Sequence, residues 1–184
     1  MEHLSTAELE AGLDVVRGSP PDHGTVELIV RRPAVDEREV LPEAELDVVV
    51  GLVGDNWPAR GSTSTPDRSP QPDAQLTVMN SRAALLVAQV PERRKLAGDQ
   101  LYVDLNLSPA NLPPGTRLAV GSAVIEVSGR PHLGCVKFAA RFGKDAWRFV
   151  NSRTGRELRL RGLNARILVS GTVRLGDTVR KLTD

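Results

Sequence analysis

A single cysteine in 184 residues leaves the chain without an internal disulfide, and no Cys/His cluster has the spacing of a structural zinc site. A reducing, cytoplasmic setting is the expectation. Aromatic residues make up only 3% of the sequence, which removes the stacking platforms on which single-stranded nucleic-acid binding depends. An excess of one charge sign is lacking too. Lys and Arg number 24 against 23 Asp and Glu, for a formal net charge of +1, so nothing pulls the whole molecule toward nucleic acid or an anionic membrane surface. Nowhere do roughly 18 apolar residues run together, as a membrane helix requires. The opening "MEHLSTAELEAGLD" has no basic start followed by an apolar stretch, so no export signal is expected. Glycine-rich phosphate loops, H-E-x-x-H and G-x-S-x-G are all absent, and nucleotide binding and the common hydrolase signatures gain no support.

The length suits one well-buried domain over residues 1–184. Residues 1–22 form its helix and lead-in: Ser5 stands three positions before Glu8, the spacing of a capping box, and Gly18 and Pro20 close a helix predicted from Ser5 to Arg17. "GTVELIVRRP" alternates as a strand ended by Pro33. The stretch from Glu43 to Val50 fits a helix or a strand, with a helical turn feeding a loop the favoured reading before the "GDN" turn. Residues 57–74, "WPARGSTSTPDRSPQPDA", read as an exposed, mobile polar loop, with too little apolar surface to offset the entropy of ordering it. "AQLTVMN" then predicts a strand that passes into a helix, "SRAALLVAQV", capped by Asn80 or Ser81. From Leu101 onward the short runs "LYVDLNL", "GTRLAVG", "AVIEVSG", "ARILVSG" and "TVRLGDTVRKL" are punctuated by Gly, Pro and Asp, which predicts the strands of a barrel or sandwich. Two short helices around a break at Gly143 interrupt them.

Cys135 follows "RPHLG" at a strand-to-helix junction. Unpaired backbone N–H groups at a helix start favour a thiolate, and Arg130, His132 and Lys137 lie within a few residues. The competing reading is a cysteine packed as a small apolar group. His132 and Cys135 at H-x-x-C spacing suggest a nucleophile pair or two metal ligands only weakly, because zinc needs three or four ligands. "RTGRELRLRGLNAR" carries Arg159 and Arg161 alternating with Leu158 and Leu160, as on a half-exposed strand that is either a solvated sheet face or one whose arginine forks hold phosphate or carboxylate. Asp55, Asp99 and Asp104 are candidate general bases, but nothing in their spacing pairs them.

Taken in order, "GDN", a polar loop, "LTVMNSRAALLVA", "LAGDQLYVDLNLS", "AVIEVSGRPHLGCVKF" and "RGLNARILVSGTVRLGDTVR" resemble a stand-alone MOSC domain, the module named after the C-terminal domain of molybdenum cofactor sulfurase. The resemblance covers roughly Thr25 to Leu182. Many relatives place Pro directly before the cysteine and a His soon after the Gly-Asp turn, where this chain has Gly134 and Asn56-Trp57. The family implies a mainly β fold, a closed or partly open mixed β-barrel with a few short peripheral helices. It also implies that Cys135 is the functional residue, carrying sulfur as a persulfide or contacting molybdenum in the molybdopterin cofactor. On this reading Arg130, Lys137 and Arg82 supply positive charge, and His132, Asn80 and Asp55 complete the candidate ligand-binding set. A sulfur donor such as a cysteine desulfurase is the implied partner, with neither nucleic acid nor membrane. The alternative is a non-catalytic module that binds a small anion or a partner protein.

Overall fold

The computed structural model describes residues 2–183. Helices α1 (Thr6–Ala11) and α2 (Leu13–Arg17) come first. Ser5 caps α1, its hydroxyl accepting from the Glu8 N–H while the Glu8 carboxylate accepts from Ser5, so the expected capping box is formed. Strands β1 (His23–Arg31), β2 (Glu39–Leu41), β3 (Glu43–Asp47) and β4 (Gly51–Leu52) follow, then α3 (Trp57–Arg60), β5 (Leu76–Asn80), α4 (Ser81–Ala88) and β6 (Leu101–Asp104). The remaining elements are β7 (Arg117–Val120), β8 (Ala123–Val127), α5 (Val136–Asn151), α6 (Arg153–Glu157), β9 (Leu163–Val169), β10 (Gly171–Arg174) and β11 (Thr178–Lys181).

Seven strands close a barrel in the order β1-β11-β7-β8-β9-β5-β6 and back to β1, with β2 appended to β1. Closure removes the exposed edges that an open sheet of short strands would carry. Every pairing is antiparallel except β5 with β6, which makes the barrel mixed. That parallel pair needs a crossover, supplied by α4 and a 3-10 turn at Pro91–Ala97. A smaller sheet, β10-β3-β4, packs beside the barrel. Here the structure corrects the sequence expectation. Residues 43–47 are a strand and not a helical turn, because Ala44 and Leu46 point inward while Glu43 and Glu45 face solvent, a period of two.

Two cores result. One fills the barrel, from Val26 and Ile29 to Ile167 and Val179. The other lies between the outer face of the β1-β6-β5 wall and the helices, joining Leu28, Met79 and Tyr102 to Leu9, Val87, Phe138 and Phe142. A bulge between Val26 and Leu28 lets β1 serve both, since the extra residue moves Leu28 to the opposite face from Val26. α5 bends at Gly143, whose φ of 92° interrupts the helical run at the expected break. Residues 57–74 are mostly exposed, but they begin on a buried Trp57 and end on a 3-10 turn at Pro72–Ala74. The indole supplies the apolar anchor that the polar composition around it conceals.

Candidate functional site

The segment between β8 and α5, residues 128–135, carries the candidate residues Arg130, His132 and Cys135. It is pinned at three points. Asn164 on β9 donates through Nδ2 to the carbonyls of Arg130 and Pro131, each at 3.2 Å. At the far end the Gly134 N–H donates to Asn151 Oδ1 at 2.9 Å, while Trp147 Nε1 and Asn151 Nδ2 donate to the Gly134 carbonyl. Between them His132 Nε2 lies 2.8 Å from Oδ1 of Asp99. Cys135 follows as the N-cap of α5, exposed to solvent, and its side chain accepts no capping bond. Its carbonyl receives the N–H groups of Phe138 and Ala139, so the backbone is engaged while the sulfur is free of the helix.

Asp99 is fully buried and organises the pocket floor. Oδ2 accepts from Arg161 Nη1 at 2.5 Å, and Arg161 Nη2 donates to the Ala97 carbonyl at 2.9 Å. The Asp99 N–H donates to the Tyr102 hydroxyl oxygen. Burial would raise the Asp99 carboxyl, but the charges of Arg161 and His132 and their hydrogen bonds outweigh it, so Asp99 sits well below the ordinary carboxylate range. Burial, then the Arg161 charge, pulls His132 below its usual value against the pull of Asp99. Burial, then Asp99, raises Tyr102 far above a free phenol. The Arg161 guanidinium also lies over the Phe138 ring, 5.2 Å from its centroid, which ties the floor to the first turn of α5.

Above this floor opens a pocket of about 300 Å³, with Arg130, His132, Arg156, Arg159 and Arg161 among its walls and Leu133, Val150 and Leu163 as its apolar side. Arg161 is not on a half-exposed strand, as its alternation with leucines suggested. Residues 158–161 form a turn in which Arg159 takes a φ of 47°, and the Arg161 side chain is turned inward, 7% exposed. Its Nε is buried and makes no hydrogen bond to any described residue. Arg159 is occupied, donating to the carbonyls of Leu107 and Leu112.

The other sequence-derived candidates lie elsewhere. Lys137 pairs with Asp36 at 3.0 Å, a carboxylate it shares with Arg141. Arg82 pairs with Asp104 at 2.7 Å and donates to the Val15 carbonyl. Asn80 caps α4, accepting from the Ala83 N–H and donating to Ser19 and to the Leu105 carbonyl. Asp55 binds Arg32 through both oxygens at 2.8 Å and also takes the N–H groups of Arg32 and Trp57. Of the candidates, Arg130 and His132 line the pocket, while Cys135, on the same segment, is not among its lining residues. Asp99, named as a candidate base, and Arg161, named for its anion-binding fork, join His132 here, although they lie 33 residues before and 29 after it in the chain. The Gly-Asp turn before a strand was the one local signal for Asp99. The leucine alternation marked Arg161 as an anion-binding candidate, but nothing local tied it to Asp99.

The MOSC domain family matches residues 55–180. The chain belongs to the MOSC domain family. The match takes in Asp99, His132, Cys135 and Arg161. Among solved structures the fold is similar to the YUAD protein from Bacillus subtilis, with a TM-score of 0.63 at 14% identity over 85% of this chain and 94% of that one. It is also similar to YiiM from Escherichia coli, with a TM-score of 0.57 at 21% identity over 87% of this chain and 70% of that one. No curated protein matches the chain. Among the described residues no helix is long and apolar enough to cross a membrane, and no group of three or more His, Cys, Asp or Glu is arranged to hold a metal ion.

Proposed function

We propose that this MOSC-domain protein handles sulfur through Cys135, accepting it as a persulfide from a donor such as a cysteine desulfurase. The observation that carries the reading is the state of Cys135: exposed, at the N-cap of α5 with no capping bond on its side chain, one residue beyond the pinned Gly134. A thiolate there stands beside the first turn of α5 and needs no hydrogen bond broken before it reacts. In the transfer step the Cys135 thiolate attacks the outer sulfur of the donor's persulfide. A sulfur–sulfur bond forms to Cys135, the one within the donor breaks, and the donor leaves as a thiolate. No outside oxidant or reductant enters.

The molybdenum cofactor that the family name implies would draw on the same segment, with Cys135 beyond the lining of the arginine pocket. A thiolate is a soft ligand suited to a metal carried in by a pterin, and the arginines around the pocket, with the unfilled Nε of Arg161, suit its phosphate. Cys135 would contact the metal and Arg130 and Arg161 would hold the anionic end. The cofactor, when bound, would supply the redox-active centre.

A second reading, a module that binds a small anion without chemistry, is favoured by the unpartnered Arg161 Nε. Mass spectrometry of protein purified without reductant separates the two. Sulfur carriage gives an additional sulfur atom on Cys135 in a fraction of molecules, and cofactor contact gives a co-purified pterin. A bare thiol and no pterin, even after incubation with a persulfide donor, leaves only the anion-binding module.

A further inference from the structure

Two groups lining the pocket are left incomplete by the protein, and they are of opposite kinds. Arg161 Nε is a donor without an acceptor, on a side chain only 7% exposed. His132 Nδ1 is an acceptor without a donor. Because the ring's Nε2 faces the Asp99 carboxylate, the imidazole proton belongs on Nε2, which leaves the lone pair on Nδ1. That nitrogen makes no hydrogen bond to any described residue and is not among the enclosed polar atoms. Since burial and the Arg161 charge disfavour a proton on this ring, the neutral imidazole is the resting form. The two side chains grip opposite oxygens of one carboxylate, His132 on Oδ1 and Arg161 on Oδ2, so they stand side by side. Arg130, exposed and without a side-chain partner among the described residues, completes the cationic wall.

A site of this kind selects more than negative charge. An acceptor oxygen set against Nδ1 would oppose lone pair to lone pair, whereas an O–H or N–H there would complete the imidazole. We propose that the pocket binds a small organic anion that carries a hydrogen-bond donor beside its anionic group, a 2-hydroxycarboxylate being the simplest such class. The carboxylate lies on Arg161 and Arg130, the hydroxyl donates to His132 Nδ1, and the apolar body rests on Leu133, Val150 and Leu163. This site does not depend on sulfur carriage by Cys135, and its test reads binding alone.

The test is calorimetric titration of the full chain at neutral pH with mandelate, with phenylacetate, which keeps the carboxylate and ring but lacks the hydroxyl, and with mandelamide, which lacks the charge. Mandelate should bind saturably, and each of the other two about tenfold more weakly or worse, because a site built around a polar group rejects the analogue that leaves it unpaired. In His132→Phe the preference for mandelate over phenylacetate should vanish. In Arg130→Gln, at an exposed position that spares the fold, both carboxylates should weaken together with their ratio intact. The Arg130→Gln result stands even where His132→Phe fails to fold. Equal binding of mandelate and phenylacetate to the wild type, a preference that survives in folded His132→Phe, or no saturable mandelate binding would each overturn the proposal.

Discussion

Two buried aspartate–arginine pairs meet at the turn of residues 97–99, and they differ in how completely they are closed. Arg32 donates to the Gly98 carbonyl and Arg161 to the Ala97 carbonyl, so the pairs are neighbours. In the Asp55–Arg32 pair both carboxylate oxygens are filled by the guanidinium and by two backbone N–H groups, and Arg32 spends Nε, Nη1 and Nη2 on protein acceptors. In the Asp99–Arg161–His132 cluster one enclosed arginine nitrogen and one imidazole nitrogen make no hydrogen bond to a described residue, on two side chains that line the pocket. The first pair ties the "GDN" turn to β1 and is complete by itself. The second leaves donor and acceptor capacity unused by the described residues. Burial and charge are alike in the two, and unfilled hydrogen-bonding capacity on pocket-lining side chains is what separates them.

The largest effect that would sharpen this contrast is the loss of Asp55. Asp55→Ala strands a buried guanidinium and two backbone donors and should cost about 3–5 kcal/mol in chemical denaturation. Added phosphate should recover no more of it than it adds to the wild type. Asp99→Asn keeps the shape but removes the charge opposite Arg161, and should cost about 2–4 kcal/mol. Here phosphate should restore part of the loss, on the order of 1 kcal/mol beyond its effect on the wild type, because an anion in the pocket can replace the missing charge. Equal phosphate responses in the two variants would break the comparison.

A smaller effect concerns acid. The unfolded chain takes up a proton on His132 near its ordinary value of 6.5, and the folded chain only at lower pH. Between those values the unfolded state binds more protons, so stability present above 6.5 is lost as the pH falls through the lowered folded value. The groups facing the ring set the sign: Arg161 and, more weakly, Arg32 oppose the proton, Asp99 invites it, and burial decides. The depressed Asp99 carboxyl adds a loss of the same direction at more acid pH. Denaturation midpoints measured across this range should fall on acidification in the wild type, and His132→Phe should remove the upper part of the slope. The smallest change is expected from Cys135→Ser. An exposed cap with no side-chain bond should shift stability by no more than about 0.5 kcal/mol while removing every trace of sulfur loading.

What the sequence disclosed follows the same division between local and distant. The capping box at Ser5, the strand-to-helix passage at Asn80, the break at Gly143 and the cysteine at a helix start are each set by residues within a few positions, and each was legible. The strand at 43–47 was misjudged because five alternating residues beside an exposed valine run also fit a helical turn. Arg161 was misjudged for a different reason. Its alternation with leucine is a genuine period of two, but the segment is a turn in which Leu160 is buried beneath the helices and the guanidinium is drawn inward by a carboxylate from far earlier in the chain. No spacing rule connects Asp99, His132 and Arg161; only barrel closure and the crossover before β6 bring them together.

The most direct test of sulfur carriage follows a labelled sulfur atom. A cysteine desulfurase charged with isotopically labelled cysteine is mixed with the full chain, and the label is located by peptide mass spectrometry without reductant. The account predicts labelled sulfur on Cys135 of the wild type and none on the folded Cys135→Ser variant. Label that stays on the donor while Cys135 remains a bare thiol, or that appears equally on the serine variant, would contradict it.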